Sequence, residues 1–178
     1  MNICVFCGSA RGNLPLFADA AREFGHLFAK SHHRLIYGGG NVGLMGILAD
    51  SVLDNGGEVI GIIPDFLVQR EVGHRGVSRL EIVESMHMRK KRMADLSDAF
   101  VAMPGGWGTL DELAEILTWR QLGLIKQPVG LLNINRFFDP LIDQMRTMVM
   151  EGFLKSDNLK FLLVETTPSA LLDRICLV

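Results

Sequence analysis

Three observations in the sequence predict an α/β fold, with a mainly parallel sheet lying between two layers of helices. Short apolar runs alternate seven times with segments whose apolar residues recur at helical spacing. Glycine-rich turns fall where a run ends and a helical segment begins, as ligand loops do in a three-layer Rossmann-like sheet. The 178 residues are 48% hydrophobic, enough for one sizeable core, and show no repeats or low-complexity tracts. The expected organisation is a single Rossmann-like domain over residues 1–178.

Asn2 to Cys7 is the first apolar run, closed by Gly8-Ser9-Ala10-Arg11-Gly12. Pro15 then opens a helix through about Lys30, with Leu16, Ala20, Phe24, Leu27 and Phe28 as its buried stripe. Arg34 to Tyr37 is a second strand. Gly38 to Gly43 leads from it into a helix carrying Leu44, Ile47, Leu48, Ser51 and Val52, with Gly56-Gly57 as the stop signal. These glycines fit a dinucleotide fingerprint badly, because the first strand already has another loop and no acidic residue closes the next strand for a ribose. Val59 to Ile63 is a third strand, stopped by Pro64.

Asp65 to Leu80 loses the pattern. Gln69, Arg70, Glu71, His74, Arg75 and Arg79 crowd a loop of about sixteen residues, read as a lid, an interface segment or a solvated excursion. Glu81 to Val83 is a short fourth strand. Behind it a helix puts Met86, Arg89, Lys90 and Met93 on one face, and its basic run is either a wet surface or part of a site. Ala99 to Met103 is a buried strand, followed by a helix marked by Leu110, Leu113, Ala114, Leu117 and Leu122. Val129 to Asn133 is another strand, and Phe137 to Met150 a helix buried through Leu141, Ile142, Met145 and Val149. Phe161 to Val164 is the last strand, and Thr167-Pro168 begins the terminal helix.

Charge is nearly balanced at −2, with 18 basic and 20 acidic side chains, which argues against bulk attraction to nucleic acid or an anionic membrane. No apolar run reaches a membrane span and no charged leader precedes one. Cys4, Cys7 and Cys176 form neither a disulfide framework nor a zinc pattern, so a cytoplasmic, reducing setting is expected. No cluster has ligand spacing, and no metal is called for.

The chemistry gathers at Pro104-Gly105-Gly106-Trp107-Gly108-Thr109-Leu110-Asp111-Glu112. A glycine-rich turn between a strand and a helix aims several free N–H groups at one point, and the helix dipole strengthens their attraction for an anion. Thr109 supplies a hydroxyl or caps the helix. The plain alternative is a capping box, with Thr109 at the N-cap and Glu112 three residues on, in the first turn. Glu115 shares the face of Glu112, whereas the helical wheel turns Asp111 away. Ser9, the Gly38 to Gly43 loop, Arg89, Lys90, the Gly105 to Thr109 cradle, Glu112 and Glu115 all belong at the carboxyl edge of the sheet. An anion pocket beside a cation and two acids suits a phosphorylated substrate cut near its sugar, because a carboxylate stabilises an oxocarbenium-like ribosyl group. Spacing leaves open whether Glu112 activates water or orients the ribose. Composition and spacing alone carry the reading to a phosphate-ligand α/β protein.

These residues resemble the LOG ("lonely guy") family. Pro104-Gly105-Gly106, Gly108-Thr109 and Glu112 match its P-G-G-x-G-T-x-x-E signature, and Met86-His87 with Arg89-Lys90 resembles its second motif. Cys7-Gly8-Ser9, and Tyr37-Gly38-Gly39-Gly40 with Gly43-Leu44-Met45-Gly46, also look like the family, so the similarity spans roughly residues 2–165. The resemblance implies a cytokinin riboside 5′-monophosphate phosphoribohydrolase, which releases an adenine-type base and ribose 5-phosphate; many members also cleave AMP. It implies Arg89 and Glu112 as the catalytic pair, with Gly105, Gly106, Gly108 and Thr109, helped by Ser9, as the phosphate cradle. Met86 would lie against the base and Lys90 would be a supporting positive group.

The resemblance further implies a homodimer acting on a small-molecule nucleoside monophosphate, without a cofactor. Met88, Trp107 and Ala10 depart from the family pattern, and the first two bear on the size of base accepted. A nucleotide or molybdenum-cofactor carrier would share the glycine loop but has no need of Arg89 and Glu112 together. A pyridoxal-phosphate lysine decarboxylase, an older description of the family, would need Lys90 or Lys91 as a Schiff-base lysine and a ring site that no feature specifies.

Overall fold

Strands covered on both faces need unbroken apolar runs, and the central strands have them. Ile3 to Phe6, Leu35 to Tyr37 and Ala99 to Ala102 are buried throughout. The computed structural model describes residues 1–68 and 72–177. Its strands are β1 (Asn2–Phe6), β2 (Arg34–Tyr37), β3 (Glu58–Pro64), β4 (Arg79–Val83), β5 (Ala99–Ala102), β6 (Val129–Leu132) and β7 (Leu162–Glu165). Between them run α1 (Pro15–Lys30), α2 (Gly43–Asp54), α3 (Asp65–Val68), α4 (Met86–Asp95), α5 (Trp107–Gln121), α6 (Asp139–Met150) and α7 (Ser156–Leu159), and α8 (Pro168–Cys176) follows β7.

The strand order is β4-β3-β2-β1-β5-β6-β7, and every neighbouring pair is parallel. The chain begins in the middle, winds outward to β4, then crosses back to lay β5 against β1 with Phe6 opposite Ala102. A parallel sheet that reverses its winding opens a crevice at that point, outside the carboxyl ends of the two strands. The loops after β1 and β5 therefore meet there.

The two faces of the sheet carry separate cores. One packs Phe17, Phe24 and Phe28 of α1, Leu44, Leu48 and Val52 of α2, and Leu171, Leu172 and Ile175 of α8. The other packs Met93 of α4, with Leu113 and Ile116 of α5. Cys4, in β1, and Cys7, just past its end, fall into different cores, as their odd offset along the extended chain predicts. The three-layer α/β architecture is as expected from sequence.

Several local expectations change. Asp65 to Leu80 is not a bare loop: α3 opens it, β4 begins at Arg79, and Gly73 bridges Gly40 in antiparallel fashion. Gln69, Arg70 and Glu71 lie outside the described residues. Pro64 does not stop β3 but is its last residue, paired with Val83. Helix α6 has no fully buried residue, so Leu141, Ile142, Met145 and Val149 form a half-covered stripe rather than a core face.

Candidate active site

Two glycine-rich loops lead into helices at this edge, and their N-termini are used differently. At α2 the N–H groups of Leu44 and Met45 donate to the Gly8 carbonyl, at 2.9 and 3.4 Å. That helix end is spent on holding the loop after β1. The Gly8 N–H in turn donates to the Pro104 carbonyl at 3.1 Å, joining the loops of the two adjacent strands.

Helix α5 starts at Trp107 with Gly106 as N-cap, and among the described residues no side chain caps it. The capping-box reading therefore does not hold: Thr109 is the third helical residue, and Glu112 lies beyond the first turn. The N–H groups of an uncapped first turn have no partner within the helix and are available to an anion. Thr109 is buried with its hydroxyl against Gly105, where a Cβ would stand 2.1 Å from Thr109 Oγ1 and 2.8 Å from the Gly8 nitrogen. Only glycine fits there. Cys7, Gly8, Ser9, Met45, Gly106, Trp107, Gly108 and Thr109 line a cleft of about 120 Å³ at this point. Ser9 is exposed at its rim, and Trp107 stands 88% exposed beside it.

Arg89 and Glu112 reach the same edge from α4 and α5. The Ser85 hydroxyl caps α4 by accepting the Met88 N–H at 3.2 Å, which fixes the start of the helix that carries Arg89. Arg89 is only 5% exposed, and its Nη2 donates to the Gly38 carbonyl at 3.1 Å. The guanidinium fills the space a side chain at residue 38 would take, since a Cβ there would lie 1.8 Å from Nη2. Glu112 is 8% exposed, with Oε1 4.0 Å from Arg89 Nη2. Met86 Sδ approaches Arg89 Nη1 at 3.7 Å. Burial pushes the Cys7 thiol far above its ordinary value, and the negative charge of Glu112 adds to the rise, so Cys7 is an inert wall of the site rather than a nucleophile.

Lys90 and Glu115 face each other instead of the cradle. Lys90 Nζ lies 3.2 Å from Glu115 Oε2 and 3.2 Å from Asp111 Oδ2, clamping α4 to α5. Asp111, which the helical wheel turns away, is thus one jaw of the clamp, a pairing between two helices that no single wheel can show. Partial burial pulls the Lys90 ammonium down, but its bonds to Asp111 and Glu115 outweigh this and hold it above the ordinary lysine value. A Schiff-base lysine needs the opposite, a neutral amine. Lys91 is likewise bound, bidentate to Asp95. The residues do not fit pyridoxal phosphate.

Sequence reasoning named His74 only among the polar residues of the Asp65 to Leu80 segment and gave it no role of its own. It is 6% exposed, its N–H donates to the Gly39 carbonyl at 2.9 Å, and its ring bonds Asp50 Oδ1 of α2 at 2.9 Å. The only sequence signal was a histidine inside a segment without periodicity.

A family model described as "Possible lysine decarboxylase" matches residues 45–175. The chain is 45% identical over 173 residues to "Cytokinin riboside 5'-monophosphate phosphoribohydrolase LOG" of Oryza sativa subsp. japonica, covering 97% of this chain and 72% of that protein. It is 46% identical over 154 residues to LOG2 of Arabidopsis thaliana, which bears the same activity in its name, covering 86% and 72%. The X-ray structure of TM1055 superposes with a TM-score of 0.74 at 24% identity over 99% of both chains. The Moco carrier protein from Chlamydomonas reinhardtii superposes with a TM-score of 0.73 at 21% identity, covering 99% of this chain and 97% of that one. Likeness at those identities concerns the fold alone, whereas identity near one half over almost the whole chain concerns family. The chain belongs to the LOG family, whose model carries the decarboxylase description.

Proposed function

We propose that this chain is a nucleoside 5′-monophosphate phosphoribohydrolase, splitting an adenine-type nucleotide into free base and ribose 5-phosphate. The observation that carries the reading is the buried Arg89–Glu112 pair, 4.0 Å apart, beside an uncapped helix N-terminus. The curated relatives named for this activity support it. The N–H groups of the Gly105 to Gly108 turn and the Thr109 hydroxyl hold the phosphate, and Ser9 closes the rim. The ribose then extends toward Glu112, whose carboxylate stabilises positive charge developing at C1′. Water forms the new C1′–O bond as the C1′–N bond breaks; the bonding pair leaves with the base, which gains a proton. Arg89, with Nη2 4.0 Å from Oε1, sets a positive charge beside that carboxylate.

The finer reading is an AMP or cytokinin nucleotide substrate, Met86 beside the base, a homodimer and a cytoplasmic setting. Exposed Leu122 and Leu124 after α5, exposed Met88 on α4 and the half-covered α6 support a subunit contact. Free cysteines support a reducing compartment, and among the described residues no helix is long and apolar enough to cross a membrane. Chromatography of the bases released from AMP, isopentenyl-AMP, GMP, CMP and adenosine tests the activity. Release from the adenine-type monophosphates, with adenosine left intact, is expected. No release from any of them overturns the proposal.

A further inference from the structure

The carbonyl that receives Arg89 belongs to a loop with little means of holding itself. Gly38, Gly39 and Gly40 follow β2 without side chains, and Gly39 sits at a φ of 77°. Chain entropy favours many conformations for such a run. What fixes it comes from residues 72–74. The Val72 carbonyl accepts the Asn41 N–H at 2.9 Å, Gly73 bridges Gly40, and the His74 N–H donates to the Gly39 carbonyl at 2.9 Å. That segment is anchored in turn by the Gly73 N–H, which donates to the Val68 carbonyl at 2.9 Å, and by one buried side chain, His74. The Gly76 N–H donates to His74 Nδ1 at 3.2 Å, which leaves Nε2 as the protonated nitrogen, donating to Asp50 Oδ1 at 2.9 Å. Asp50 lies on α2, the helix whose first N–H groups hold Gly8.

We infer that the His74–Asp50 pair is a positioning device for the reaction, locking the triple-glycine loop so that the Gly38 carbonyl presents Arg89 to Glu112. His74 and Asp50 touch no reacting atom in this reading. They act through two backbone bonds on consecutive residues: His74 N–H to the Gly39 carbonyl, and Arg89 Nη2 to the Gly38 carbonyl. The phosphate cradle on α5 makes none of these contacts, so positioning and phosphate binding are separable. The inference rests on the proposed catalytic role of Arg89 and Glu112.

The test compares His74→Ala, Asp50→Ala and His74→Gln with the wild type and Glu112→Gln, using AMP and isopentenyl-AMP as substrates and ribose 5-phosphate as a binding probe. Loss of alignment should lower kcat about tenfold in either alanine variant, with KM and ribose 5-phosphate affinity held within about twofold. Glutamine carries an amide N–H to where Nε2 stands, so His74→Gln should recover most of the lost kcat. The double variant His74→Ala/Asp50→Ala should be no slower than His74→Ala, because the bond lost with Asp50 is already gone once the imidazole is removed. Asp50 is 58% exposed, so its removal leaves the core intact and carries the test even where His74→Ala does not fold. Unchanged kcat in Asp50→Ala, or a glutamine variant no better than alanine, overturns the positioning role. So does a fall in kcat matched by an equal loss of ribose 5-phosphate affinity. Full turnover in Glu112→Gln would instead overturn the catalytic reading beneath it, a result the other variants do not mimic.

Discussion

Two junctions at the same edge of the sheet have nearly the same local sequence design: an apolar strand, a glycine-rich turn, a helix. At the start of α2 the first amides are closed by the Gly8 carbonyl, and at the start of α5 no side chain among the described residues provides a cap. A glycine-rich turn before a helix is therefore not by itself a binding site. Which of the two stays open is decided by strand order. β1 and β5 are neighbours at the switch in winding, so the loop after β1 sits between the junctions and gives its carbonyl to one and its N–H to the other.

The sharpest way to break this comparison is to remove chemistry from the open junction without touching its amides. Glu112→Gln should lower kcat by about a hundredfold or more while ribose 5-phosphate affinity changes little, because the lost interaction belongs to the transition state. Steady-state kinetics with a binding titration would show it, and equal activity would end the catalytic assignment. The closed junction should answer in stability instead. Leu44 is buried at the start of α2, and Leu44→Ala should cost about 2–4 kcal/mol in chemical denaturation, leaving KM of the folded protein near its original value.

A finer contrast lies inside the open turn. Gly105→Ala drives a methyl group into the Thr109 hydroxyl and the Gly8 amide, whereas a methyl at Gly106 meets nothing within 4 Å. KM for the monophosphate should rise about tenfold in the first and stay within about twofold in the second. The smallest effect concerns the clamp behind the turn. Lys90 is held above its ordinary value in the folded chain, so its contribution is present at neutral pH and up to the ordinary lysine range, and is lost as pH climbs through the raised value. Melting curves of the wild type and Lys90→Met should differ by a constant amount at neutral pH and converge in strong alkali.

Much of the layering was legible because its causes are local. The central strands are continuous apolar runs, and α1 is announced by Pro15 and a regular stripe ending at Phe28. The segment from Asp65 to Leu80 was illegible for the opposite reason: its order comes from one buried histidine and from backbone bonds to glycines some thirty residues earlier, which leave no periodicity. The stripe of α6 was visible, but burial depends on a neighbour and not on the helix itself. At the site, residue types at known loop ends drew attention to Arg89 and Glu112, yet their separation is a property of the sheet. The need for glycine at residue 38 arises from an arginine 51 positions later, and the Lys90 clamp spans two helices.

Trp107 offers a consequence of a different sort. It is one of two tryptophans in the chain and stands almost wholly in water on the lip of the cleft, while Trp119 is half-buried further along the same helix. An indole in water changes its fluorescence when solvent is displaced from its ring. With Trp119 replaced by Phe, the one remaining tryptophan would sit on the lip of the proposed phosphate cradle. Occupancy by a product or an uncleavable analogue would then be readable as a spectral signal, without labels and without turnover.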